Sequence, residues 1–162
     1  KNVLSELLFS GLLICLMFSL AGCKGNDVPS PVDIPSEFIN QQILLRASPY
    51  GNTYKNTDVV SLELKYNSTN VITFPYHFNV KIFELVDDQW VAINEIPTDT
   101  FPQEDIVLAP DKEMPAVTVV MLYPDIEDLN KSHRLRIYVI GEMQTDTGFQ
   151  DVAAYTEILL KP

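Results

Sequence analysis

Imidazoles, the side chains best suited to proton transfer near neutral pH, are few in this chain. There are two histidines, His77 and His133, among 162 residues. A nucleophilic triad needs a nucleophile, a base and an orienting acid brought together. Ser132 and His133 are neighbours in sequence, but adjacency is not hydrogen-bond geometry, and no Gly-x-Ser-x-Gly elbow is present. Asp125, Glu127 and Asp128 put three carboxylates into one short stretch, without the glycine and regular spacing of a calcium loop. Acids at a helix start serve the helix dipole equally well. No carboxylate pair stands out as a glycosidase pair would. The reading is a non-enzymatic protein with no catalytic residues, no metal site and no cofactor.

Aromatic residues are the stronger candidates for recognition. Trp90, the sole tryptophan, opens a strand after a tight turn. It suits either the core or a stacking surface, and core is the preferred placement. Tyr50, Tyr54, Tyr66, Tyr76 and Tyr123 fall in loops or at strand ends. Tyr50, Tyr54, Tyr76 and Tyr123 form the candidate binding surface, if they share one end of the domain. The alternative is that they cap the ends of the core.

The remaining reactive group is a thiol. Cys23 follows Leu20, Ala21 and Gly22, and these close the apolar run Leu7–Leu20, with Lys1 as the one early cation. The run is short for a membrane span and ends in small residues, as a signal sequence does. An uncleaved anchor helix or a buried helix is the alternative. Leu20-Ala21-Gly22-Cys23 resembles the lipobox of bacterial lipoprotein precursors. The resemblance implies cleavage after Gly22, with Leu20, Ala21 and Gly22 as the cleavage sequence, and lipidation of Cys23. Two or three acyl chains hold a protein firmly, at about 0.8 kcal/mol per buried methylene. The expected location is the bacterial cell envelope, facing outward from the cytoplasm. Lys24, not Asp, follows the cysteine, which in a diderm host implies the outer membrane.

Three segments follow from this: a signal peptide over 1–22, a lipidated flexible tether over 23–40, and one domain over 41–162. Pro29, Pro31 and Pro35 lie among small and polar residues, with no hydrophobic period. An extended tether of that kind reaches roughly 40–50 Å. The only other cysteine, Cys15, falls in the signal, so the domain folds without a disulfide. The net charge of −11 disfavours nucleic acid and anionic headgroups as partners. The membrane is therefore engaged through the lipid, and the expected partner is an envelope protein or a glycan.

From Gln42 onward the apolar residues recur with period two. Ile43/Leu45, Val60/Leu62/Leu64, Phe78/Val80/Ile82, Trp90–Asn94, Ile106/Leu108, Val117/Val119/Met121, Leu135/Ile137/Val139 and Val152/Ala154/Thr156/Ile158 give seven to eight strands. Asp87-Asp88 suits a hairpin turn. Pro124–Asn130, with proline first and acids following, predicts one short helix. Segments Ser61–Ser68, Val80–Val91, Leu108–Pro110 and Leu135–Val139 resemble bacterial Ig-like domains of exported proteins. That resemblance implies an all-β, Ig-like antiparallel β-sandwich and a binding or accessory role. Two other roles stay open: a β-sandwich protease inhibitor presenting Thr98–Phe101 between Pro97 and Pro102, and a glycan-binding module.

Overall fold

The computed structural model describes residues 28–48, 51–93, 95–96, 104–110, 117–120, 123–124 and 126–162. Among these residues the chain forms strands β1 (Ile43–Ser48), β2 (Thr53–Lys55), β3 (Ser61–Tyr66), β4 (Ile72–Phe74), β5 (Lys81–Val86), β6 (Gln89–Ile93), β7 (Glu95–Ile96), β8 (Ile106–Leu108), β9 (Val117–Val120), β10 (Tyr123–Pro124), β11 (His133–Thr145) and β12 (Gly148–Lys161). Two short 3₁₀ turns, Ser36–Phe38 and Tyr76–Asn79, complete the regular structure. The protein is all-β. Leu20, Ala21, Gly22 and Cys23, whose sequence resembles a lipobox, lie outside the described residues.

The strands build two main sheets. One has the order β1-β3-β9 and is antiparallel throughout. The larger runs β2-β12-β11, and the long β11 then carries two partners side by side. β4 pairs with its far half at Glu142 and Met143, and β5 with its near half from Leu135 to Tyr138. β8 extends β4, and β6 extends β5. β2 runs parallel to the end of β12. A separate two-stranded ribbon joins β7 and β10.

Period two in sequence explains which faces are buried. Ile43, Leu45, Leu62 and Leu64 on the small sheet share one core with Phe74, Ile82, Leu135, Ile137, Val139 and Ile158 on the large one. Strict alternation puts every second residue on the same face, and those faces close on each other. Gly141 sits where β11 crosses β4. A Cβ there would stand 2.9 Å from the Phe74 ring, so only glycine lets Phe74 seat.

Asp87-Asp88 forms the expected tight turn between paired Val86 and Gln89, with φ of 48° and 58°. Both residues in the left-handed region match the twist of a two-residue hairpin. Other expectations change. The strand expected from Phe78 begins only at Lys81, because Phe78 and Asn79 adopt positive φ in the 3₁₀ turn that splits β4 from β5. β11 and β12 are not two short strands but a hairpin paired from His133↔Leu160 to Thr145↔Gly148.

The helix expected over Pro124–Asn130 is replaced. Tyr123-Pro124 pairs with Glu95-Ile96, and residues 126–131 form a turn. Asp128 explains the change. Its side chain accepts from the Asn130 amide at 3.0 Å, a local bond that competes with helix. Its carbonyl, which a helix would use, is taken by His133. Asn56 Nδ2 donates to the carbonyls of Leu129 and Lys131 and holds the same turn from the other side.

The segment read as tether also differs. Ile34 and Ile39 are buried on the outer face of the large sheet with Tyr138 and Ala153. Val32, Phe38, Phe83, Ile140 and Tyr155 pack around them. Ile39 bridges Ala153 in parallel. Residues 30–40 are therefore a layer of the domain, a strap rather than a free linker.

Candidate functional site

The outer face of the large sheet and its two ends carry the side chains with chemical potential. Cross-strand pairing of Tyr138↔Tyr155 and Arg136↔Glu157 puts these four on the outer face. Arg136 stacks on Trp90 at 4.3 Å and on Tyr155 at 4.5 Å from the ring centroids. Its guanidinium donates to one Glu157 oxygen while Arg134 donates to the other. Burial opposes ionisation of Glu157, but the hydrogen bonds from Arg136 and Arg134 outweigh it and hold the carboxyl below its ordinary value. Trp90 is thus placed on the outer face, not in the core between the sheets. β6 pairs Trp90 with Leu85, one residue out of phase with core-facing Ile82. Its indole N–H is enclosed with no acceptor among the described residues.

At one end, an open cleft of about 680 Å³ is lined by Glu84, Asp87, Glu127, Asp128, Lys131 and His133. His133 is 7% exposed. Its Nδ1 lies 2.6 Å from Glu84 Oε1 and its Nε2 lies 2.7 Å from the Asp128 carbonyl. Both partners accept hydrogen bonds, so the doubly protonated imidazolium satisfies both at once. Burial favours the neutral ring, yet the bonds to Glu84 and to the Asp128 carbonyl, with the charges of both acids, raise the His133 pKa above 6.5. A ring engaged on both sides has no free nitrogen to take a proton from a nucleophile. His133 acts as a tie between β5 and the 126–131 turn.

This tie makes stability depend on pH. The folded-state pKa lies above the unfolded value, so the contribution of His133 is fully present below about pH 6.5 and is lost as pH rises through the raised value. Urea midpoints measured against pH should show the parent losing stability relative to His133→Gln across that window. Parallel curves for the two proteins would remove the tie. Asp128 carries its own local partner, Lys131 at 3.0 Å, which holds the carboxyl below its usual range.

The opposite end is formed by the β11–β12 turn, beside the β3–β4 connection, where the Gln144 amide donates to the Val71 carbonyl. Thr145 Oγ1 closes the turn on the Gly148 carbonyl at 2.9 Å. Gly148 takes φ 141°, which side-chain-bearing residues rarely adopt. Immediately beyond it Phe149 is 70% exposed. Phe149 shares a face with Asp151, and Glu142 stands directly across from Asp151. Like charges directly opposed in a ladder cost stability. Asp105 joins them around a recess of about 290 Å³. No salt bridge engages Asp105, Glu142, Asp146 or Asp151 among the described residues. The outer edge of β12 from Gly148 to Val152 is also unpaired there.

The four tyrosines are not all at the surface. Tyr54 is 2% exposed and belongs to the core, because β2 pairs with the end of β12 and turns the ring inward. Tyr76 lies in the 3₁₀ turn beside the middle of β11, and Tyr123 lies in β10. Tyr50, and the Thr98–Phe101 loop, lie outside the described residues. Asp125 does too. Among the described residues, no group of three His, Cys, Asp or Glu side chains is arranged to hold a metal ion. Phe149 went unnoticed in the sequence because a lone aromatic beside Thr147-Gly148 carries no period. The Thr-Gly turn signal before it was the available clue.

Pairing, core and site define an all-β protein of two core-sharing sheets with an aromatic-tipped hairpin. No protein-family model, no curated protein and no solved structure matches this chain.

Proposed function

We propose that this chain is a lipid-anchored, non-enzymatic binding module of the bacterial cell envelope, built as an Ig-like sandwich. The strand order supports the Ig-like reading. One sheet is β1-β3-β9, and the other runs β6-β5-β11-β12-β2. β1 pairs antiparallel with β3, while β2 crosses to lie parallel with β12. A first strand shared in this way between both sheets is a feature of Ig-like sandwiches. The Leu20-Ala21-Gly22-Cys23 sequence supports the anchor, with Cys23 lipidated and the outer membrane as destination in a diderm host.

The observation that carries the binding role is Phe149, held out on the β11–β12 hairpin and flanked by carboxylates that no salt bridge engages among the described residues. A rigid aromatic anchor with a charged rim is the anatomy of a contact surface. The partner it fits is an envelope protein offering an apolar pocket rimmed by Lys or Arg. The hairpin tip replaces the tyrosines as the proposed contact.

Crosslinking in intact cells, followed by affinity capture and mass spectrometry, tests this. One dominant partner is expected, and Phe149→Ala should lower its capture about tenfold or more while leaving the melting temperature unchanged. Undiminished capture by Phe149→Ala would sink the hairpin contact. If no protein is captured and the domain retains a glycan on an array, the glycan-binding reading takes over.

A further inference from the structure

The strap is tied to the sheet along its whole length. Ser30 Oγ lies 3.2 Å from the Tyr138 hydroxyl. Ile34 and Ile39 bury against Tyr138 and Ala153. The Asn40 amide donates to the Ala153 carbonyl at 2.9 Å, and the Asn40 side-chain oxygen accepts from the Tyr155 amide at 2.8 Å. Asn40 makes both bonds at φ 57°, a conformation that asparagine tolerates better than most residues. These bonds occupy the β12 edge that a free linker would leave open.

We infer that the docked strap sets the height of the domain above the bilayer, so that the domain works at the membrane surface against a partner held in that same membrane. The inference rests on lipidation of Cys23 proposed above. Lys24 to Pro29 are then the only residues between the lipid and the folded body. Six residues reach at most about 20 Å. An undocked segment through Asn40 would reach about 50 Å. The difference decides which partners are within range. A leash of about 20 Å keeps the folded body beside the bilayer, so the domain meets proteins rooted in that same membrane. The charge of −11 adds a reason for a short leash. An acidic domain is repelled by anionic headgroups, and on a long tether it would stand away from them.

Energy transfer from the domain to the bilayer tests the height. The lipidated protein is placed in phosphatidylethanolamine–phosphatidylglycerol vesicles with rhodamine on some headgroups. A donor dye goes on Thr57→Cys or, separately, Thr147→Cys, both at exposed positions. Efficient transfer is expected from the parent, with at least a twofold fall when Ile34→Asp and Ile39→Asp release the strap. Equal transfer in parent and released variant overturns the inference. Should the double variant lose its near-ultraviolet spectrum, a twelve-residue Gly-Ser insertion between Pro29 and Ser30 replaces it. The same fall is expected, and no fall overturns the inference.

Hydrogen exchange of the Asn40 and Tyr155 amides in the parent provides a separate reading of docking. Exchange slowed about 100-fold or more relative to urea-unfolded protein is expected, and unslowed exchange overturns the inference. Vesicle flotation keeps the two proposals apart. Protein that fails to float but keeps both amides protected has lost the anchor reading, and the membrane height with it, while the strap itself stands.

Discussion

Tyr138→Ala should lower the unfolding free energy by about 3–5 kcal/mol, the range for deleting a buried aromatic. Tyr138 has no exposed surface and is among the largest fully buried side chains. It lies between three layers of contact on the outer face. The Phe83 ring meets it edge-on at 5.9 Å, and the Tyr155 ring lies at 5.1 Å. Ile34 and Ile39 of the strap cover it from outside. Truncation leaves a cavity beneath the strap, which loses the largest of its apolar anchors. The strap should therefore come loose as the protein weakens. Tyr138→Phe is the matched control. It removes only the hydroxyl that faces Ser30 Oγ, and should cost about 0.5–1.5 kcal/mol. Urea unfolding of both variants checks the pair. A Tyr138→Ala loss within 1 kcal/mol of the control, on the order of one modest hydrogen bond, would mean that the strap contributes no packing.

Glu157→Ala is the second large effect, at about 2–4 kcal/mol. Glu157 accepts from two guanidinium groups, one on each oxygen. Arg136 is 12% exposed, pressed between Trp90 and Tyr155, and has no other carboxylate partner among the described residues. Removing Glu157 strands that cation in a partly dry slot, and the stranded charge dominates the cost. Arg134→Ala should cost less than about 1 kcal/mol, because Arg134 is largely solvent-facing. Replacing Arg136 and Glu157 together with apolar residues of similar size should recover most of the loss, as buried ion pairs are often exchangeable for packing. Thermal melts of the single and double variants read the difference. The pH dependence has a definite sign. The folded pKa of Glu157 is depressed, so its contribution is present above about pH 4.5 and is lost as pH falls through the lowered value.

The His133 and Glu157 ties act in opposite directions. One weakens as pH rises and the other as pH falls. Between them lies a window from about pH 4.5 to 6.5 in which both are intact. The tie at His133 and the stack at Arg136 both lie on β11, so this strand carries the charged contacts that join β5 and β6 to β12.

Much of the inner architecture was legible from local pattern. Leu62 and Leu64, or Leu135, Ile137 and Val139, alternate with polar neighbours, and a pleated strand converts that alternation directly into a buried face. Asp87-Asp88 was equally readable, since short acids tolerate positive φ and a two-residue hairpin needs it. The helix over Pro124–Asn130 was misread because the acids that favour a helix start also favour local side-chain turns. His133 then decided between them. Trp90 was misread because period two tells which residues share a face but not which face meets the second sheet.

The candidate site was less legible. Tyr54 resembled a loop tyrosine, and only its pairing beside β12 turned it into core. Phe149 stood alone, and its exposure follows from where neighbouring strands stop, not from its own surroundings in sequence. Ile34 and Ile39 sit among prolines, too few and too far apart to show a period. Their partner Tyr138 lies about a hundred residues downstream, and nothing near them in the chain reports it. Alternation, turns and acidity are short-range properties, so the strand faces and the Asp-Asp turn followed from neighbouring residues alone. The strap, the outer-face stack and the bare hairpin tip came from long-range packing, because each depends on surfaces that exist only once β11 and β12 have paired.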